Sequence, residues 1–353
     1  MPDQADPVLA AAQAGIDAGI FPGVVIVAGR RAGVQLTHVL GHARITPHAV
    51  AMRPDAIFDV ASITKVVATT TAVAICIDAG LLDLDAPAHH YLSAMNLPTL
   101  QRITLRHLVT HTAGLSNEKF NELNGEALLH ALSTRTVLGP PGTHWEYCCP
   151  GFVILGLIVE AVTHGTFDSF CHTRIFEPLG MRDTRFGPPE TASDRARLVA
   201  TERLEPHEVS DGLARRAGRA IGNAGLFTAA ADLARFAQMM LCGGTLAGTR
   251  ILSPRAHALC TTNLNEPPLP ARALGWDLRP PEQAHSRGQR FSKSAYGHSG
   301  WTGQSIWIDP EHDLFTVVLT NRTHPVHRGD DDGSHQSRAR IANAIIDSLE
   351  SSK

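Results

Sequence analysis

The chain has 353 residues, of which 43% are hydrophobic and 18% charged, and its formal net charge is −3. This length allows one large domain or two smaller ones, with the composition of an ordinary globular protein. No Lys/Arg-rich run is present, so we predict contact with neither nucleic acid nor a membrane surface. Residues 1–6 lack a basic segment and an apolar core, which argues against a signal peptide. The six cysteines are scattered, which favours a reducing cytoplasm over a disulfide framework.

The N-terminal segments predict a helix followed by strands. Residues 7–19 repeat apolar side chains at helical spacing. Two apolar runs, 24–28 and 34–40, flank a glycine-containing turn and predict a β-hairpin. A short strand is predicted over residues 57–60.

Helical patterns dominate the centre of the chain. The run 66–77 is apolar on every face apart from its threonines and predicts a buried helix, with Gly80 just past its end. Thr104 is a good N-cap for a helix over residues 105–111. Residues 152–163 and 230–242 predict two further helices.

The last quarter changes character. Residues 274–278 look strand-like, and a polar loop follows over residues 283–294. Residues 305–308 and 314–320 predict adjacent antiparallel strands, and residues 337–349 predict a closing helix. We therefore expect an α/β fold of the α+β type, in which both chain ends build one antiparallel sheet. We divide this single domain into a sheet subdomain, 1–60 and 220–353, and an inserted helical subdomain, 61–219.

Ser62 and Lys65 form the most informative local pattern. Of 31 basic residues only four are lysines, yet Lys65 opens an apolar helix. One helical turn separates Ser62 from Lys65, so the two side chains can meet. Burial can lower a lysine pKa until the amine loses its proton, and a neutral amine activates a neighbouring hydroxyl. An isolated pair of this kind would instead indicate an N-cap serine and a lysine that reaches the surface.

Two later motifs favour the catalytic interpretation. Ser62-Ile63-Thr64-Lys65 matches S-x-x-K, Tyr147-Cys148-Cys149 stands where Y-x-N is expected, and His298-Ser299-Gly300 resembles K-T-G or its H-x-G variant. In this order they resemble the serine-reactive superfamily of class C β-lactamases, D-alanyl-D-alanine carboxypeptidases and family VIII esterases. Residues 105–115, 141–184, 222–236 and 297–321 resemble the family as well. The resemblance implies a β-lactamase/transpeptidase-like fold.

The resemblance also implies roles for individual residues. Ser62 would be the nucleophile, and Lys65 its proton acceptor or the group that sets the acceptor's charge. Tyr147 would be the partner base or acid, and the backbone N–H groups of Ser62 and Trp301 would form the oxyanion hole. His298, Gly300 and Cys149 would border the substrate. Since Lys65 and Tyr147 titrate as a coupled pair, the sequence leaves open which of them holds the proton.

Two departures from the family pattern bear on the substrate. Cys149 replaces an asparagine, and a thiol is a weak donor and a poor acceptor. His298 replaces a lysine and is mostly neutral near pH 7. Both changes weaken recognition of a carboxylate-bearing β-lactam or a D-alanine terminus. Trp145 and Trp301 flank the second and third motifs, so aromatic walls around the cleft are a further hypothesis.

We therefore predict an acyl-enzyme serine hydrolase whose partner is a small-molecule ester or amide. The alternatives are a β-lactamase or D-amino-acid peptidase, an acyltransferase, and a non-catalytic binding protein with the same fold. No cofactor is expected. The 19 histidines are dispersed, and His107 and His111, at helical spacing, are interpreted as capping and core residues rather than metal ligands. The oligomeric state is left open.

Overall fold

A computed structural model describes residues 6–202, 208–280, 282–283, 286–325 and 331–351. Residues 1–5, on which the signal-peptide prediction depends, lie outside these ranges, as do 284 and 285 of the predicted polar loop. The strands are β1 Gly23–Arg30, β2 Gly33–Arg44, β3 Val50–Ala51, β4 Ile57–Asp59, β5 Arg185–Phe186, β6 Leu226–Ala229, β7 Thr245–Leu246, β8 Thr249–Arg250, β9 Tyr296–Ser299, β10 Gln304–Asp309 and β11 Leu314–Thr320.

The α-helices are more numerous in the middle of the chain. They are α1 Pro7–Asp17, α2 Thr71–Asp78, α3 Leu105–Val109, α4 Gly125–Ser133, α5 Cys149–Thr163, α6 Phe167–Cys171, α7 Glu177–Leu179, α8 Ala192–Arg195, α9 Gly212–Ala217, α10 Ala230–Leu241, α11 Pro254–Thr261 and α12 Asp331–Ser351. Lys65–Thr70 and His172–Phe176 are π-helical, and Ala88–His90 and Ser93–Met95 are 3-10 turns.

A six-stranded antiparallel sheet joins the two ends of the chain, as predicted. Its strand order is β3-β2-β1-β11-β10-β9. Strand β1 pairs with β2 through the predicted hairpin and with β11 on its other side, where Val25 lies opposite Leu319. Helices cover both faces, which explains why β1 is apolar at consecutive positions rather than at alternate ones.

Two apolar cores lie on opposite faces of this sheet. The larger contains Val25 and Leu319 together with the apolar sides of α2, α5 and α10. The smaller lies beneath α1 and α12 and includes Phe21, Trp307, Ile341 and Ile345.

The helix after Ser62 begins with a π-helical turn that its periodicity did not indicate. Lys65–Thr70 is π-helical and α2 continues to Asp78, with every residue from Lys65 to Ile77 buried. The Thr71 hydroxyl donates to the Val66 carbonyl at 3.1 Å, five residues back. Gly80 follows the helix with φ +71°, as expected of a residue in this position.

The strand predicted over residues 274–278 is wrong. Only isolated bridges form there, between Asp277 and Arg272 and between Asp277 and Gly297. The apolar pattern instead reflects burial of Trp276, which stacks on Phe236 and meets Tyr296 edge-on. The division into two subdomains stays a prediction.

Among the described residues, no single helix has the length and apolarity to cross a membrane. The pair Cys149–Thr163 and Phe167–Leu179 meets those criteria only when taken together, and the two segments are bent by 80°.

Candidate active site

Ser62 lies in a tight turn between strand β4 and the buried helix. The Asp59 carboxylate accepts a hydrogen bond from the Ala61 N–H at 2.9 Å, and Ala61 has φ +44°, which is rare for a residue with a side chain. The amides of Ile63, Thr64 and Lys65 each bond three residues back, at 3.0 Å. These bonds over-determine the turn and hold the Ser62 hydroxyl at the start of the helix.

Lys65 is buried beside Ser62. Its side chain has 0% exposure, and its Nζ donates to the Ser62 hydroxyl at 3.1 Å and to the Asn223 carbonyl at 2.8 Å. The Cys149 Sγ lies 3.5 Å from the same Nζ. The structure thus brings Ser62 and Lys65 together as predicted, while Asn223, in an irregular segment before β6, was not identified from the sequence.

The sequence leaves open whether Lys65 or Tyr147 holds the proton. Burial acts to lower the pKa of the Lys65 amine, but the acidic groups of Cys149 and Tyr147 outweigh burial and raise that pKa above its usual value. This direction favours the ammonium form of Lys65.

Tyr147 lies immediately before helix α5, with its ring against Lys65. The Nζ lies 5.1 Å from the ring centroid. Burial raises the pKa of Tyr147, and the Lys65 ammonium opposes that rise. The His111 ring packs 4.5 Å from the Tyr147 ring, and its Nδ1 accepts from the Cys148 N–H at 3.0 Å. His111 is thus a core histidine that orients the second motif.

Cys149 is the first residue of helix α5 and faces Lys65. Cys148 and Cys149 are both thiols rather than a disulfide. The family asparagine at this position is replaced by a group that contacts the ammonium at 3.5 Å. Because a thiol offers no amide to a substrate, this contact with Lys65 replaces the polar recognition expected of the family motif.

The third motif begins on strand β9 and ends at Gly300, in the turn between β9 and β10. A Cβ on Gly300 would fall 2.5 Å from the Val60 carbonyl oxygen, so only glycine allows this close approach. The Thr302 hydroxyl donates to the Asp59 carbonyl at 2.8 Å. These contacts dock the turn that carries Trp301 against the segment that carries Ser62, where the predicted oxyanion hole would form.

His298 borders the same cleft from strand β9. Its Nδ1 lies 2.8 Å from the Ser299 carbonyl, and its ring centroid lies 6.1 Å from that of Tyr147. Burial, reinforced by the charges of Lys65 and Arg272, lowers the pKa of His298 to about 3. A neutral imidazole therefore occupies the position where the family motif has a lysine.

Ser62 opens into a cavity of about 290 Å³. Trp145 and Trp301 both line it, as the aromatic-wall hypothesis predicted. Four arginines and one acid among its lining residues were not identified from the sequence: Arg272, Arg279, Arg322, Arg338 and Asp277. Within the described ranges, no group of three or more His, Cys, Asp or Glu side chains is arranged to hold a metal ion.

Comparison with known families decides the assignment of the chain. The model of the family described as beta-lactamase matches residues 9–339. The chain belongs to the beta-lactamase family. This is a family of serine hydrolases, and proteins named as an esterase, a carboxypeptidase, β-lactamases and a hydrolase with acyltransferase activity are among the relatives and structural neighbours.

Individual relatives of this beta-lactamase family member are distant. A Salmonella schwarzengrund protein with the provisional name D-alanyl-D-alanine carboxypeptidase is 25% identical over 350 residues, which cover 88% of this chain and 80% of the relative. The class C β-lactamase from Rhodobacter sphaeroides has a TM-score of 0.77 at 21% identity, covering 97% of this chain and 100% of its own. EstCE1, described as a hydrolase with promiscuous acyltransferase activity, has a TM-score of 0.77 at 22% identity, covering 97% and 98%.

Proposed function

We propose that this protein cleaves an ester or amide of a small molecule through an acyl-enzyme on Ser62. The observation that carries the proposal is the 3.1 Å contact between the Ser62 hydroxyl and a fully buried Lys65, whose Nζ also lies 5.1 Å from the Tyr147 ring centroid. A binding protein with the same fold has no physical need for three different ionisable or nucleophilic groups at one point.

The charges in the site support a division of labour between Lys65 and Tyr147. Lys65 keeps its proton, so its ammonium stabilises the Tyr147 phenolate, which then accepts the Ser62 proton as the serine oxygen attacks the carbonyl carbon. The carbonyl electrons move to oxygen, where the Ser62 and Trp301 N–H groups would stabilise the charge. Tyr147 then passes the proton to the leaving group as the scissile bond breaks, and water repeats the sequence to release the acid.

Covalent labelling tests this proposal directly. Intact-mass measurement after treatment with a fluorophosphonate should show one adduct on the native protein and none on the Ser62→Ala variant. A native protein that acquires no adduct, or a Ser62→Ala variant that still acquires one, would favour the binding-protein alternative.

Steady-state turnover of chromogenic substrates can rank the substrate classes. Cys149 and neutral His298 remove the amide and the lysine that the family motifs provide, so p-nitrophenyl esters should be turned over with higher kcat/KM than a chromogenic cephalosporin. The reverse ranking would favour the β-lactamase alternative.

An added alcohol tests the acyltransferase alternative. If the alcohol diverts the acyl group into a new ester, measured by product chromatography, the second step is acyl transfer rather than hydrolysis.

A further inference from the structure

One wall of the cavity is a tryptophan that faces two guanidinium groups. The Arg272 and Arg279 guanidinium carbons lie 5.1 and 5.3 Å from the Trp145 ring. Asp277 lies between the two arginines, 3.3 Å from Arg272 and 2.7 Å from Arg279. All four residues line the cavity that contains Ser62.

This wall carries more positive charge than its acid can neutralise. The pKa of Asp277 is lowered because the two guanidiniums outweigh burial, so Asp277 is a carboxylate, and two cations then share one anion. Arg272 has only 2% exposure, and its Nε has no hydrogen-bond acceptor among the described residues. Arg279, whose side chain is 21% exposed, binds Asp277 through Nε and Nη2. A buried cation with unsatisfied donors is costly unless an anion completes its shell.

Further cationic side chains line the same cavity. Arg322 and Arg338 are among its lining residues, and Lys65 lies beside Ser62. The Arg322 guanidinium lies 4.7 Å from the Trp301 ring and donates to the Trp301 carbonyl at 2.6 Å. A low-dielectric cavity lined by one sign of charge concentrates ligands of the other sign.

We propose that the Arg272–Asp277–Arg279 cluster beside Trp145 is an anion subsite that binds a carboxylate carried by the substrate. This inference rests on the proposed function, because it assigns a substrate class to the same cavity. A carboxylate matches the planar guanidinium fork, and the single excess charge of the cluster suits a monoanion better than a dianion such as phosphate. His298 carries no charge, so the positive charge of this wall comes from Arg272 and Arg279 and not from the third motif.

Matched ester pairs test the subsite. The pairs are p-nitrophenyl hemiglutarate with p-nitrophenyl valerate, which places the carboxylate on the acyl group, and 3-carboxyphenyl butyrate with phenyl butyrate, which places it on the leaving group. After subtraction of the Ser62→Ala background, kcat/KM for the anionic member of one pair should exceed that of its neutral partner by about 10-fold at low salt. The pair that shows the preference identifies which side of the scissile bond carries the anion.

Two arginine variants make the test specific. Arg279→Gln should reduce the anionic-to-neutral ratio by about 10-fold, since a charge-assisted bond is lost while Asp277 keeps Arg272 as its partner. Arg53 is a matched control because it also binds an aspartate two residues away, through Nε and Nη2 at 2.8 and 2.9 Å, but on the surface. Arg53→Gln should leave the ratio unchanged. A neutral preference in both pairs, or an unchanged ratio in Arg279→Gln, would overturn the proposal.

Binding without turnover separates this proposal from the hydrolase assignment. Calorimetric titration of glutarate into the Ser62→Ala protein should give saturable binding that weakens with added salt and is lost in the Ser62→Ala/Arg279→Gln double variant. Absence of binding to Ser62→Ala would contradict the subsite even if esters are hydrolysed. Conversely, salt-sensitive binding in a protein whose Ser62 never becomes labelled would support the subsite and refute the hydrolase.

Discussion

Lys65 shows how a single residue can be identified from the sequence while its charge is not. Its place in an apolar helix, in a chain with only four lysines, marks it as unusual and predicts its contact with Ser62. Its charge depends on Cys149 and Tyr147, which lie far along the chain. The contact between Lys65 and Cys149, for example, joins residues separated by 84 positions. Burial is visible in the sequence pattern, but the groups that oppose its effect on the pKa are not.

Replacing Lys65 by methionine removes the ammonium at nearly constant volume. We expect Lys65→Met to lower kcat/KM for a p-nitrophenyl ester by about 10³-fold, in the range of general acid–base contributions. The variant should still fold, because methionine suits an apolar helix. Lys119→Met, at an exposed position, is the control. Turnover by Lys65→Met within tenfold of the native value would exclude the assigned role.

The pH dependence of turnover should identify Tyr147 as the base. Burial raises the pKa of its phenol, so the active phenolate becomes more abundant as pH increases, and kcat/KM should rise from pH 6 to pH 9. Tyr147→Phe should abolish this rise together with most of the activity. His298→Gln should keep the rising profile, because His298 has a pKa of about 3 and is neutral throughout this range. A profile that becomes flat in His298→Gln would instead assign the titration to the histidine.

The strand–turn–helix element around Ser62 depends on a buried acid. Asp59 ends strand β4, and its carboxylate accepts from the Ala61 and Ser210 N–H groups at 2.9 and 2.8 Å. Burial outweighs these bonds and raises the pKa of Asp59 to about 7. The element that fixes the nucleophile therefore contains a group that titrates near neutral pH.

Proton linkage gives the sign of the effect that Asp59 has on the free energy of unfolding. In the unfolded chain Asp59 loses its proton near pH 4, whereas the folded protein holds it to about pH 7. The stabilisation that protonated Asp59 contributes to the folded state is therefore fully present below pH 4 and is lost as pH rises to 7. The free energy of unfolding of the native protein, minus that of Asp59→Asn, should decrease between pH 4 and pH 7 and then level off. Chemical denaturation at several pH values measures this difference, and a constant or rising difference would contradict the assignment.

The sequence predicts the helices and strands that have a regular apolar pattern, but it does not predict the irregular turns. The hairpin, the β10–β11 pair and the buried helices follow from alternating or continuous apolar patterns. The positive φ of Ala61 does not, since alanine is not a turn residue, and neither does the π-helical turn, since its period resembles that of an α-helix. The arginine cluster lies in an irregular segment whose path the sequence pattern does not determine.

The molecule as a whole depends on a second core outside the catalytic one. Helix α12 buries Ile341 and Ile345 against Phe21 and Trp307, on the face of the sheet that α1 also covers. The sequence predicts this helix from its apolar periodicity, although the structure extends it to Asp331–Ser351.

Truncating this interface should destabilise the protein. Ile341 is fully buried, so Ile341→Ala should lower the free energy of unfolding by about 2–5 kcal/mol. Asp347→Ala, on the same helix but with a side chain 53% exposed, should change that free energy by less than about 0.5 kcal/mol. Equal effects of the two substitutions in denaturant titrations would show that α12 is not part of a cooperative core.

The position of β1 between β2 and β11 has a consequence for biosynthesis. The Gly23 amide donates to the Asn321 side chain at 2.9 Å, across a sequence separation of 298 residues. At about 5–20 residues per second, a ribosome needs roughly 15–60 seconds to translate that interval. Throughout this time one edge of the apolar strand β1 has no partner, because β11 has not yet been synthesised. We expect the nascent chain to depend on chaperones until strand β11 emerges from the ribosome.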